Sequence, residues 1–158
     1  MSPWQKGLSM NLPPFKLERY FAKHEFNTEF LLCSSDCEAM SIADLLAFEA
    51  GAAEKFQNTW LGYTESQGSL ALRKEICDLY TSMQPENILV HTGAGEAIYL
   101  FMHAMLKEND HVIVHAPNYQ SLSEVAKGIG CQVSPWIARE ENGWALDLDE
   151  LRHLMRSS

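Results

Sequence analysis

Apolar positions recur first at helical spacing and then in short runs divided by turn residues. Ser41, with Asp44 three residues on, has the form of a capping box at a helix start. Ile42, Leu45, Leu46, Glu49 and Ala53 then put apolar side chains mostly on one face, which predicts one helix from Ser41 onward. A second helix is predicted from near Gly68, with Leu72, Ile76, Leu79 and Tyr80 along one side. Trp60-Leu61-Gly62-Tyr63 and the polar residues after it read as a loop. Further on, Ile88–His91, His111–Val114 and Cys131–Ile137 read as buried strands. Helices alternate with them: one carries Ile98, Phe101, Met102, Met105 and Leu106, and the next ends near Gly128 and Gly130. A last one, capped by Asp147 with Glu150, carries Leu148, Leu151, Leu154 and Met155. This alternation predicts an α/β domain, a mainly parallel sheet with flanking helices. The segment through about Phe30 keeps no period and reads as an N-terminal arm. Phe15, Leu17, Tyr20 and Phe21 predict a short helix within it.

Charge narrows the partners. Twelve basic and 21 acidic residues give a formal net charge of -9. Nucleic acid and anionic membrane would repel such a chain, so neither is expected as a partner. No apolar run reaches the ~20 residues that span a bilayer, and Met1 to Pro14 has no apolar core of signal-peptide type. A cytoplasmic location is the resulting expectation, with the four cysteines reduced. Cys33 and Cys37 have no second pair at zinc-site spacing, so no metal is expected.

Three motifs bear on chemistry. Thr92-Gly93-Ala94-Gly95-Glu96-Ala97 lies between a predicted strand and a predicted helix. Small residues there let backbone N–H groups approach an anion, with the helix dipole favouring negative charge. The same residues also suit a plain strand-to-helix turn. A dinucleotide fingerprint is incomplete, because Ile98 stands where its third glycine would. Pro117-Asn118-Tyr119 follows the C-terminal end of the next strand, where ligands bind in open α/β sheets. Tyr119 could lie flat on a planar heterocycle there, or fill the core. The third motif, Tyr63…Gly68…Leu72-Arg73, leads from a loop into a helix and is unremarkable residue by residue.

Taken in order, these motifs resemble the class I/II aminotransferases of fold type I, in sequence and in separation. Trp144-Ala145-Leu146-Asp147-Leu148-Asp149-Glu150-Leu151 is similar to the family's segment ahead of its central strand. The resemblance covers nearly all of residues 41–155. It implies an incomplete large domain of that fold over residues 41–158, with an arm and small-domain segment over residues 1–40. It implies pyridoxal 5'-phosphate as cofactor and an amino acid as substrate. Gly93, Ala94 and Gly95 would hold the cofactor phosphate, and Tyr119 would stack on its ring. Tyr63 would reach the phosphate of the neighbouring subunit's cofactor across a homodimer. Cys33-Ser34-Ser35-Asp36-Cys37 stands where the family usually carries a glycine-containing substrate segment. It has no glycine, and Ser35 or Asp36 would face the substrate.

The family's Schiff-base lysine, the acidic partner of the ring nitrogen and the substrate-gripping arginine come from its second half, which the 158 residues do not reach. No lysine here is expected to replace the first. The expectation is a truncated N-terminal portion of an aminotransferase-like enzyme, inactive alone, that dimerises or needs a complementing C-terminal chain. Two other readings stay open at this point: a nucleotide- or S-adenosylmethionine-binding α/β domain, and a non-catalytic dimerisation module.

Overall fold

The computed structural model describes residues 12–34 and 37–156. The chain divides into two compact units, one made of residues 1–27 with 91–158 and the other of residues 28–90.

The first unit holds the sheet. Strands β1 (His111–Ala116) and β2 (Gln132–Ile137) pair in parallel, with Val114 opposite Pro135 and Ala116 opposite Ile137. Helix α6 (Ser121–Ile129) joins them, the crossover that a parallel pair requires. Helix α5 (Ala94–Met105) precedes β1 and packs against α6. The core forms where these elements meet: Met102 of α5, Val125 and Ala126 of α6, and Cys131 at the entry to β2. Ile98, Leu106, Val112, Leu122 and Val133 pack around them. The apolar positions of α5 and α6 come at helical spacing, so one stripe of each faces this cluster. Helix α7 (Leu148–Arg156) follows β2. Asp147 caps it, its carboxylate accepting from the N–H groups of Asp149 (2.8 Å) and Glu150 (3.3 Å). The Trp136 indole N–H donates to the Asp147 carbonyl at 2.8 Å, and Arg139 pairs with Glu150 at 3.1 Å, so β2 and the turn after it fix where α7 starts. The arm contributes α1 (Lys16–His24).

The second unit contains α2 (Ile42–Leu46), α3 (Ala52–Gln57), α4 (Leu70–Cys77) and a 3-10 turn at Pro85–Asn87. Ser41 and Asp44 form the expected capping box, Ser41 Oγ accepting from the Asp44 N–H at 3.1 Å and Asp44 Oδ2 from the Ser41 N–H at 3.3 Å. The single helix expected onward from Ser41 is two. Gly51, at φ 80°, takes a left-handed conformation that breaks the hydrogen-bond ladder between α2 and α3.

The expected strand over Ile88–His91 also does not form. Ile88 has strand-like dihedrals (φ -102°, ψ 128°), but no ladder runs along this segment among the described residues. The Val90 N–H goes instead to the Gln67 carbonyl at 2.9 Å. Extended backbone becomes sheet only where a neighbour supplies the facing groups.

Many large apolar side chains stay exposed, among them Phe101 and Met105 of α5 and Leu61 and Leu79 of the second unit.

Candidate functional site

Two turns of the first unit carry the residues singled out by sequence. The first opens α5. Gly93 is its N-cap, fully extended at φ -177° and ψ 169°, with no side chain to cap the helix. The leading N–H groups of a helix have no intrahelical acceptor. Neither glycine at the start of α5 is crowded: a Cβ built on Gly93 or on Gly95 would meet nothing within 4 Å. Gly93, Ala94 and Gly95 are all exposed. An external anion could therefore take these donors, aided by the dipole of a 12-residue helix.

Glu96 closes the upstream side of the turn. Its carboxylate accepts the Thr92 N–H at 2.7 Å and lies 3.8 Å from His91 Nδ1. That backbone bond, then the Thr92 side chain and His91, holds the carboxyl below the usual glutamate range. A group with a depressed pKa contributes its bond fully above the ordinary range and loses it as pH falls through the lowered value. The Thr92 amide proton shift should thus show one titration below the ordinary glutamate pKa. In Glu96→Ala that titration should vanish, which an NMR pH series would read directly.

The second turn joins β1 to α6. The Asn118 side-chain amide donates to the His115 carbonyl, and the Tyr119 carbonyl accepts from the Leu122 N–H at 3.1 Å. Tyr119 is thus placed just past the carboxyl end of β1, 40% exposed. Its hydroxyl donates to Glu18 Oε1 at 3.2 Å. Burial first, and then the hydrogen bond and charge of Glu18, raise the phenol above its usual pKa, so it stays protonated and a donor through the neutral range. A cleft of about 190 Å³ beside β1, β2 and α6 is lined by Val114, Ala116, Asn118, Ser123, Lys127 and Val133 among others, and neither Tyr119 nor the start of α5 lines it.

Tyr63 is fully exposed in the second unit. Ser35 and Asp36 lie outside the described residues. His91 lies outside any strand, its Nδ1 3.8 Å from Glu96, and His115 stands exposed in β1. Lys16, Lys23, Lys55, Lys74, Lys107 and Lys127 are all exposed. Among the described residues no helix is long and apolar enough to cross a membrane.

Arg73 had no individual role in the sequence reading. It is buried, 7% exposed, and its guanidinium donates to the Gly68 carbonyl at 2.9 Å and the Pro85 carbonyl at 2.6 Å. An arginine on an amphipathic helix ordinarily reads as solvated. Its only signal in the sequence is its place in the Tyr63…Gly68…Leu72-Arg73 motif, and Leu72 itself is 45% exposed.

Comparison with known proteins bears on the same residues. The family model described as aminotransferase class I and II matches residues 28–158. Capreomycidine synthase of Streptomyces vinaceus is 29% identical over 91% of this chain and 38% of its own length. Aspartate aminotransferase of Pyrococcus horikoshii is 31% identical over 58% of this chain and 25% of its own. Among solved structures, a PLP-dependent aminotransferase from Streptococcus suis superposes with a TM-score of 0.83 at 34% identity, over 91% of this chain and 40% of that one. The chain thus spans about two fifths or less of the length of these relatives.

Proposed function

The chain belongs to the aminotransferase class I and II family, and from that premise we propose that it forms the phosphate- and ring-binding part of a pyridoxal-phosphate enzyme acting on an amino acid. The observation that carries the proposal is the start of α5, where an extended Gly93 leaves the helix without a side-chain cap and a Cβ at Gly93 or Gly95 would meet nothing within 4 Å. Its donor chemistry fits a phosphate. The backbone N–H groups of Ala94 and Gly95 would hold the phosphate, and Gly93 keeps side-chain bulk away from it. Tyr119 would carry the ring. Tyr63 would reach the phosphate of a partner subunit's cofactor, and Ser35 or Asp36 the substrate. When bound, the cofactor supplies an electron sink for carbanion chemistry at the amino acid. What these residues contribute is anchorage and orientation.

On this reading residues 1–40 are the arm with a small-domain segment, and 41–158 belong to the cofactor-binding domain. The exposed apolar faces support assembly, either as a homodimer or with polypeptide equivalent to the rest of the family fold. Four free cysteines agree with a cytoplasmic address.

Ala94→Pro tests the cradle. Proline is tolerated at the first helical position, where its missing N–H serves no helical bond. Gly93 already has the extended conformation that must precede it. The helix should therefore persist while one phosphate donor is lost. A hydrogen bond to a charged group is worth ~1.5–3 kcal/mol, so affinity for 4-deoxypyridoxine 5-phosphate should fall about 10- to 100-fold. That analogue has no carbonyl to react with surface lysines. Unchanged affinity, with an unchanged circular dichroism spectrum, would remove the α5 start from the site.

A further inference from the structure

Tyr119 is held by a segment that no motif indicated. Its hydroxyl bond to Glu18 joins residues 101 positions apart. Phe15 meets its ring edge-to-face, with centroids 6.1 Å apart and planes at 65°. The next residue, Gln120, is held twice: Oε1 accepts from the Lys16 N–H at 2.9 Å, and Nε2 donates to the Pro14 carbonyl at 3.3 Å. Four contacts therefore fasten residues 14–18 onto residues 119–120. Together they fix the long axis of the Tyr119 ring through its hydroxyl and its tilt through Phe15. The phenol, kept protonated, remains the donor that this arrangement needs.

We propose that Glu18 is a positioning residue for Tyr119, and that the docked arm sets the plane on which a flat phosphorylated heterocycle stacks. This rests on the reading of Tyr119 as the stacking residue. Glu18 touches no ligand in this scheme and acts through the tyrosine alone. The geometry makes recognition separable: the phosphate goes to backbone donors of α5, whereas the ring depends on the arm. A purely structural clasp would instead affect both alike.

The test titrates the full chain with two probes, inorganic phosphate and 4-deoxypyridoxine 5-phosphate. Stacking contributes ~0.5–1.5 kcal/mol, so Glu18→Ala should weaken the pyridine probe about 5-fold and leave phosphate within about 2-fold. Glu18→Gln, which keeps an acceptor, should bind as the unaltered chain does. In a Tyr119→Phe background, Glu18→Ala should have no further effect. The NMR cross-peak between the Phe15 and Tyr119 rings should weaken in Glu18→Ala. Gln120→Ala cuts the other two contacts and should give the same selective loss, which keeps the test usable if Glu18→Ala unfolds. Equal loss of both probes, or no loss of either, overturns the proposal. If the unaltered chain binds the pyridine probe no better than phosphate, the stacking reading of Tyr119 falls and takes this inference with it. A ring preference that survives Glu18→Ala removes only the role of Glu18.

Discussion

Replacing Arg73 by alanine should destabilise the 28–90 unit by about 3 kcal/mol or more, from two hydrogen bonds to a charged group at ~1.5–3 kcal/mol each. The guanidinium links two distant stretches, the turn before α4 and the 3-10 turn at Pro85–Asn87, through the Gly68 and Pro85 carbonyls. The Pro85 carbonyl also accepts the Ile88 N–H at 3.3 Å, so the loss falls most heavily on the Gly68 carbonyl, which lies outside any helix or strand. The buried stem adds lost packing to the lost bonds. Lysine is not a substitute, because a single ammonium does not span two acceptors in the fixed fork geometry of arginine. Arg73→Lys should therefore recover only part of the loss. Urea denaturation, read with amide exchange over residues 68–90, would show it. A midpoint unchanged in Arg73→Ala would mean that the link carries no load.

How much of this could be read beforehand depends on how local each cause is. The β1–α6–β2 crossover and α7 were legible because periodicity, Gly130 and the Asp147 cap all act within a few residues. The Ser41 capping box was legible for the same reason, yet the length of its helix was not. Any α-helix tolerates a glycine at some cost, and nothing in the spacing says that Gly51 goes left-handed. The apolar run Ile88–His91 gives an extended Ile88 but no strand, because sheet is a property of pairs. The start of α5 was placed by its own residues, as was the turn at Tyr119. What holds Tyr119 was not, because Glu18 and Tyr119 are 101 positions apart and neither residue type announces the other. Arg73 was hidden in another way: the acceptors it serves are backbone carbonyls, which every residue has.

Gly68→Ala should cost the 28–90 unit still more clearly, because two separate penalties meet at one atom. Gly68 sits at φ +99°, a conformation that costs a side-chain-bearing residue about 1–3 kcal/mol. The added methyl would also lie 2.5 Å from Val90 Cγ2 and 2.7 Å from Val90 Cβ. A β-branched side chain is stiff and cannot swing away, and overpacking of this kind costs about 1–3 kcal/mol more. The backbone cannot relax freely either. Gln67 receives the Val90 N–H at 2.9 Å, and the Gly68 carbonyl receives Arg73, so the turn is tied on both sides. Val90→Ala separates the two penalties. In its background Gly68→Ala should regain the steric part and keep the dihedral part, a coupling of about 1 kcal/mol or more in a double-mutant cycle. Gly68→Ala and Arg73→Ala should likewise be less than additive, since both loosen the same turn. Strict additivity in both cycles would mean that Val90, Gly68 and Arg73 act independently, and that no single turn joins the Tyr63–Arg73 motif to the segment ahead of Gly93.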